Sequence, residues 1–158
     1  LEFTPLYEEE IILAGVDSGT YSFSSRQYIR FEELDGLPMI ALPQGHHVRR
    51  VQEQIFAQHH IDLNIIRETK SDITAVRFAS AGEGFVFCAD IIHRYILPIY
   101  NTSLWSISEN GLYRKIGVLT KKGKEFSTIE RQFCSRYQAL AQGQISSYGS
   151  DIALNYFD

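Results

Sequence analysis

Short runs of apolar residues alternate along this chain with segments whose apolar residues recur at helical spacing. Residues 11–14, 39–42 and 85–88 are continuous apolar runs, of the length expected for buried strands. Between them, apolar positions within residues 48–56 and 73–80 follow the period of an amphipathic helix. Strands and helices in this order predict an α/β fold with a mostly parallel sheet.

Local signals set the predicted boundaries of the helices. Ser71 is a suitable N-cap for the second helix, and Gly82 predicts its end. Ser127 and Glu130 form a capping box that starts a third helix, which we expect to stop near Gly143. The other predicted strands lie over residues 63–68, 104–107 and 112–120.

The charge and the cysteines of the chain restrict its function. A net charge of −4 argues against a face that binds nucleic acid directly. No apolar run approaches the roughly 20 residues needed to span a membrane, and the first residues do not resemble a signal peptide. Cys88 and Cys134 form no CxxC pair, and two free thiols fit a reducing compartment. We therefore expect a cytoplasmic location.

Metal binding and catalysis have only weak support in the sequence. Histidine pairs at residues 46–47 and 59–60 bracket one helix, so they lie about 20 Å apart and cannot share a metal ion. Cys88, Asp90 and His93 are close in sequence, but no nucleophile elbow surrounds the cysteine. The acidic run at residues 8–10 is best interpreted as a solvated edge. We expect no metal, no cofactor and no enzymatic activity.

Two strand-to-helix turns are better candidates for binding a ligand. The first follows the strand that ends at Leu42 and covers residues 44–49, and the second covers residues 69–71. The carboxyl ends of parallel strands share one sheet edge, where ligands commonly bind. Free N–H groups at the start of a helix attract carboxylates and other anions. Ordinary loop and capping chemistry is the alternative interpretation.

The order of these features resembles one family. Residues 6–13 resemble the "L-x-x-E-x-L-x-L" strand of LysR-type transcriptional regulators, and residues 31–40 resemble the family's "dL…P-x-I". Residues 81–86 resemble its "aG-x-G-[IV]" motif, although Glu83 stands between the glycines and Ala89 replaces a usual proline. The other similar segments are the turn over residues 44–56, the turn over residues 69–72, and the closing strand and helix over residues 114–141.

The resemblance implies a periplasmic-binding-protein-like effector domain with two α/β lobes. The family's winged helix-turn-helix and the first part of its first lobe have no counterpart here, which implies a C-terminal fragment. The implied parts are the second lobe at residues 32–108, crossover and first-lobe pieces at residues 1–31 and 109–143, and a tail at residues 144–158. The crossovers are expected near residues 13–17 and 116–120.

The resemblance also implies a function in sensing. A small-molecule effector, expected to be anionic, would bind between the lobes and modulate DNA binding by the N-terminal domain that this chain does not contain. We expect a homodimer or homotetramer, with no contact to a membrane. The predicted ligand contacts are Gln44, Gly45, His46, Arg49, Thr69 and Ser71, with Phe87 as an apolar wall. Arg49 is expected to face either the ligand or solvent.

Two other functional classes remain open at this point. A solute-binding protein of a transporter would use the same two-lobe architecture but would require export. An enzyme on that architecture would need an acid–base or nucleophilic group at the pocket. The local candidates for that role are Cys88, Asp90 and His93.

Overall fold

The structure is a computed structural model that describes residues 1–19, 21, 23, 27–92 and 102–142. His93, the predicted helix end at Gly143 and the predicted tail lie outside these residues. The strands are β1 (Glu2–Gly15), β2 (Tyr28–Ile29), β3 (Met39–Ala41), β4 (Ile65–Glu68), β5 (Phe85–Ala89), β6 (Ser103–Ile107) and β7 (Tyr113–Thr120). The α-helices are α1 (His47–Gln58), α2 (Asp72–Ser80) and α3 (Thr128–Ala141), and a 3₁₀ turn covers Phe31–Leu34.

The sheet is mixed, with strand order β2-β6-β1-β5-β3-β4, and β7 pairs with β1. β3 runs parallel to both β4 and β5, and β2 runs parallel to β6. β1 is antiparallel to β5 and to β6, its two neighbours along the sheet. The prediction of a mostly parallel sheet is therefore correct for the other strands on this path and wrong at β1. An apolar run predicts a buried strand but carries no information about its direction.

The chain divides into two compact units, and the larger one covers Glu10–Tyr113. Helices α1 and α2 both pack against β5. Phe56 of α1 meets Phe87 of β5 with ring centroids 6.1 Å apart, while Val76 of α2 is completely buried. Both predicted amphipathic helices thus bury their apolar faces on the central strands, and this fixes the turns that precede them.

An aromatic cluster closes another part of this core. Phe23 packs edge-on against Phe85 and Trp105, at centroid distances of 5.6 and 5.0 Å. Gly15 at the end of β1 makes room for it, because a Cβ there would lie 2.3 Å from a ring carbon of Phe85. The only tryptophan of the sequence is therefore buried in the larger unit, where its fluorescence can report unfolding.

The smaller unit consists of Leu1–Glu9 and the stretch that begins at Arg114. Glu9 is buried in β1, and its Oε2 accepts a 2.5 Å hydrogen bond from Arg114 Nε. The acidic run is therefore not wholly solvated as predicted, since its middle member has a cationic partner on β7. Burial, a hydrogen bond with Tyr137 and the charge of Glu9 raise the pKa of the Tyr7 phenol.

Helix α3 begins at the predicted capping box. Ser127 Oγ accepts a hydrogen bond from the Glu130 amide, and the Glu130 carboxylate accepts one from the Ser127 amide. A hydrogen bond from Lys124, together with those from Ser127, lowers the pKa of the Glu130 carboxyl to about 2. None of the described helices is long and apolar enough to cross a membrane.

The apolar face of α3 is not buried among the described residues. Ile129 is 79% exposed and Phe133 is 62% exposed. Together with Leu119 of β7 they border an open groove of about 670 Å³. The smaller unit thus has a large apolar surface that its own described residues leave uncovered.

Candidate ligand-binding site

The two predicted turns lie together at one edge of the sheet. β3 and β4 are parallel, with Ala41 opposite Glu68, so the residues after both strands leave the sheet at the same level. The amide of Thr69 donates a 3.0 Å hydrogen bond to the carbonyl of Ala41. The structure therefore brings the first turn next to the second, as the parallel arrangement of these strands requires.

The first turn places an exposed loop in front of α1. Gln44 and Gly45 are exposed, and Gly45 has a φ of 88°, a conformation that glycine adopts without strain. His46 is the N-cap residue of α1, and its side chain makes no capping hydrogen bond. The first N–H groups of α1 thus lack a side-chain cap, which suits a bound anion.

The second turn is held by its own hydroxyl groups. The Oγ of Ser71 accepts a hydrogen bond from the amide of Thr74 at 3.3 Å, which confirms Ser71 as an N-cap. The Oγ1 of Thr69 accepts one from the amide of Ser71 at 3.4 Å. Each hydroxyl acts as acceptor in these bonds and retains a proton that it can donate to a ligand.

Asp72, the first residue of α2, joins the two turns. Its Oδ2 lies 3.8 Å from Nε2 of His46, and the two side chains are 33% and 36% exposed respectively. Sequence reasoning did not select Asp72, because its proximity to His46 depends on the register of β3 with β4. The local sequence marks it only as an acidic residue in the first turn of a helix.

Arg49 lies beneath the first turn. Its side chain is 6% exposed, and Nη1 donates a 3.1 Å hydrogen bond to the carbonyl of Leu42 at the end of β3. Nε bonds Glu53 at 2.7 Å, and Nη1 lies 3.5 Å from Glu68 at the end of β4. The prediction that Arg49 faces solvent is wrong, since the guanidinium connects α1 to the ends of both strands.

Phe87 is part of the core of the larger unit. Its side chain is buried and packs against Phe56. The ring therefore supports α1 from below, and its contact with a ligand stays a prediction.

Two of the residues proposed for an enzymatic alternative, Cys88 and Asp90, lie in β5 and directly after it. Cys88 is buried, and burial with the nearby charges of Asp72 and Asp90 raises the pKa of its thiol to about 12. A thiol in that state is protonated at neutral pH and is a poor nucleophile. Within the described part of the chain, no three His, Cys, Asp or Glu side chains are grouped to hold a metal ion.

The larger unit also contains a cavity that was not predicted. It has a volume of about 280 Å³ and is lined by residues of β1 and β6 together with Gln27 and Asp90. Its lining includes the carboxylate residues Glu10 and Asp90. The residues that line this cavity are far apart in sequence, so no local sequence pattern could predict it.

Comparison with known proteins identifies a family model and several similar structures. The model of the LysR substrate binding domain matches residues 1–141. The CcmR regulatory domain of Synechocystis PCC6803 in complex with 2-PG has a TM-score of 0.73 at 16% identity, covering 88% of this chain and 66% of that chain. The effector binding domain of QuiR in complex with shikimate has a TM-score of 0.67 at 21% identity, covering 90% and 65%.

A third similar structure is the regulatory domain of NMB2055 (MetR), a LysR family regulator from N. meningitidis. Its TM-score is 0.71 at 15% identity, covering 89% of this chain and 64% of that chain. The chain thus spans just under two thirds of the length of these three solved domains. No curated protein sequence matches the chain significantly.

Proposed function

Because the chain belongs to the LysR substrate-binding domain family, we propose that it senses a small-molecule effector for a LysR-type transcriptional regulator. The observation that carries this proposal is the meeting of two strand-to-helix turns at one sheet edge. There the uncapped start of α1 lies near Asp72, the first residue of α2, whose N-cap hydroxyl belongs to the second turn. This arrangement offers donors to a small anion and contains no activated nucleophile.

The effector's anionic group is proposed to bind at the start of α1. The amides that follow His46 supply the donors for this group, His46 supplies a donor to a neighbouring part of the effector, and the exposed backbone of Gln44 and Gly45 allows close approach. Thr69 and Ser71 add hydroxyl groups from the second turn. These donors favour a carboxylate or a similar anion over a cation.

Arg49 and Phe87 have supporting positions in this proposal. Arg49 holds the ends of β3 and β4 together beneath the turn, so its charge stabilises the site without reaching the surface. Phe87 packs against Phe56 in the last turn of α1 and helps to hold this helix on β5.

The division of the chain into lobes is part of the same proposal. Residues 32–108 form the second lobe, residues 1–31 and 109–143 form the crossovers and pieces of the first lobe, and residues 144–158 form a tail. The compact unit over Glu10–Tyr113 supports this division, because it contains the whole of the second lobe. The face of α3 that the described residues leave exposed also supports it, since a partial first lobe would expose apolar surface of this kind.

Regulation is proposed to act through a change of conformational populations. An effector shifts the balance between lobe arrangements only by its difference in affinity for them. In a cytoplasmic homodimer or homotetramer, that shift would alter DNA binding by an N-terminal helix-turn-helix outside these residues. The LysR family match favours this role over that of a solute-binding protein for a transporter.

Thermal unfolding in the presence of organic acids, followed by Trp105 fluorescence, tests the proposal. An effector at about 100 times its dissociation constant adds about 2.7 kcal/mol to the free energy of unfolding. The variant His46→Asn removes the imidazole and adds a side-chain oxygen that can cap the first N–H groups of α1, so it should lose this shift on both counts. His60→Asn at the other end of α1 is the matched control and should keep it. A shift that survives His46→Asn unchanged would place the effector elsewhere.

A further inference from the structure

His46 and Asp72 face each other across a gap that they do not close. Their nearest atoms, Nε2 and Oδ2, are 3.8 Å apart. A hydrogen bond between nitrogen and oxygen requires about 2.7–3.2 Å. The two groups attract each other, but each still has the capacity for a hydrogen bond at this position.

Neither side chain is held by another hydrogen bond among the described residues. Nδ1 of His46 and Oδ1 of Asp72 are shut off from solvent and have no hydrogen-bond partner there. Both side chains are nevertheless about one-third exposed. The pair is therefore incompletely satisfied, and it lies at the surface where the two turns meet.

We propose that this gap binds a hydroxyl group of the effector. One oxygen placed to the side of the line that joins Nε2 and Oδ2 can lie about 2.8 Å from both, because the two atoms are 3.8 Å apart. With a proton on Nε2, His46 donates to the hydroxyl oxygen, and the hydroxyl proton is donated to Asp72. A hydroxyl can both accept and donate, so it can pair with Nε2 and Oδ2 at the same time.

Other ligand groups fit the gap less well. A carboxylate oxygen accepts from His46 but meets the negative charge of Asp72. An ether oxygen accepts but has no proton for Asp72, and an ammonium group has no lone pair for His46. This inference rests on the proposed anion site at the start of α1. Combined with it, the gap points to a small hydroxy acid as the class of effector.

Three small acids distinguish the contribution of the hydroxyl group to binding from that of the anionic group. Glycolate has both groups, methoxyacetate replaces the hydroxyl by a methyl ether, and acetate has the carboxylate alone. Each is titrated into the ¹⁵N-labelled chain, and the dissociation constant is read from the amide signals of residues 44–49. Glycolate should bind about tenfold more tightly than methoxyacetate, the effect of one hydrogen bond to a charged group.

The variant Asp72→Ala should remove the preference for glycolate and leave acetate binding no weaker. Asp62→Ala, at an exposed position before β4, is the matched control and should keep the tenfold preference. Equal binding of the three acids by the parent chain, or a preference that survives Asp72→Ala, would overturn the hydroxyl site while leaving the anion site in place. Amide signals at residues 44–49 that no acid moves would refute both.

Discussion

Replacing Arg49 by methionine tests whether the turn depends on a buried guanidinium. Methionine keeps the length of an unbranched side chain, so the change removes mainly the charge and its hydrogen bonds. The carbonyl of Leu42 then loses its donor in a buried position, which costs about 1–3 kcal/mol. The pair with Glu53 adds only about 0.3–0.5 kcal/mol, because Glu53 is 42% exposed and water screens it.

The expected loss for Arg49→Met is therefore about 2 kcal/mol in the free energy of unfolding. At about 4 °C per kcal/mol, Tm should fall by about 8 °C. Urea and thermal unfolding followed by Trp105 fluorescence measure this loss in the larger unit. Arg50→Met, on the exposed side of the same helix, is the control and should stay within about 0.5 kcal/mol of the parent. If Arg49→Met lowered the free energy of unfolding as little as Arg50→Met, the role of Arg49 in supporting the turn would be refuted. A direct contact of Arg49 with the ligand would then be favoured.

Four further outcomes follow from packing and charge. Phe87→Ala should lower the free energy of unfolding by about 3–5 kcal/mol in urea, because the ring is buried. A thiol reagent should modify Cys134 in the folded chain but not Cys88, as mass spectrometry of the peptides would show. Because the pKa of Glu130 is lowered in the folded chain, the ionised carboxylate stabilises α3 fully above pH 4.5, and this stabilisation is lost as the pH falls towards about 2. The helical circular dichroism signal should fall over the same range, and it should fall less in Glu130→Gln. Phe133→Glu should change Tm little but reduce binding of an apolar dye.

Local sequence patterns predicted the helices well. Ser71 and Ser127 cap α2 and α3 as expected, since a cap needs only residues within one turn. α1 begins and ends within a residue or two of its apolar period. Caps and helical periodicity depend on residues only a few positions apart, so they can be predicted from the sequence alone.

Long-range pairing could not be predicted in the same way. Glu9 looked like one member of a solvated acidic run, yet its partner Arg114 lies 105 positions later. The direction of β1 and the two-residue strand Tyr28–Ile29 likewise depend on neighbours that are distant in sequence. Such features require the sheet order, which no local pattern contains.

The candidate site contains some features that local sequence patterns predict and others that depend on long-range pairing. The two turns were predictable because each is a strand end followed by a helix start, and their parallel strands place them together. The proximity of Asp72 to His46 was not predictable, since it depends on the register of those strands. The inward direction of Arg49 follows from Leu42 and Glu68, which it contacts only once the sheet has formed.

The most direct test of effector binding at the two turns is an amide chemical-shift map. The ¹⁵N-labelled chain would be titrated with the organic acid that raises Tm most. The largest shifts should fall on residues 44–49 and 69–74. Shifts confined to the cavity beside Glu10 and Asp90, or to the groove between β7 and α3, would contradict it.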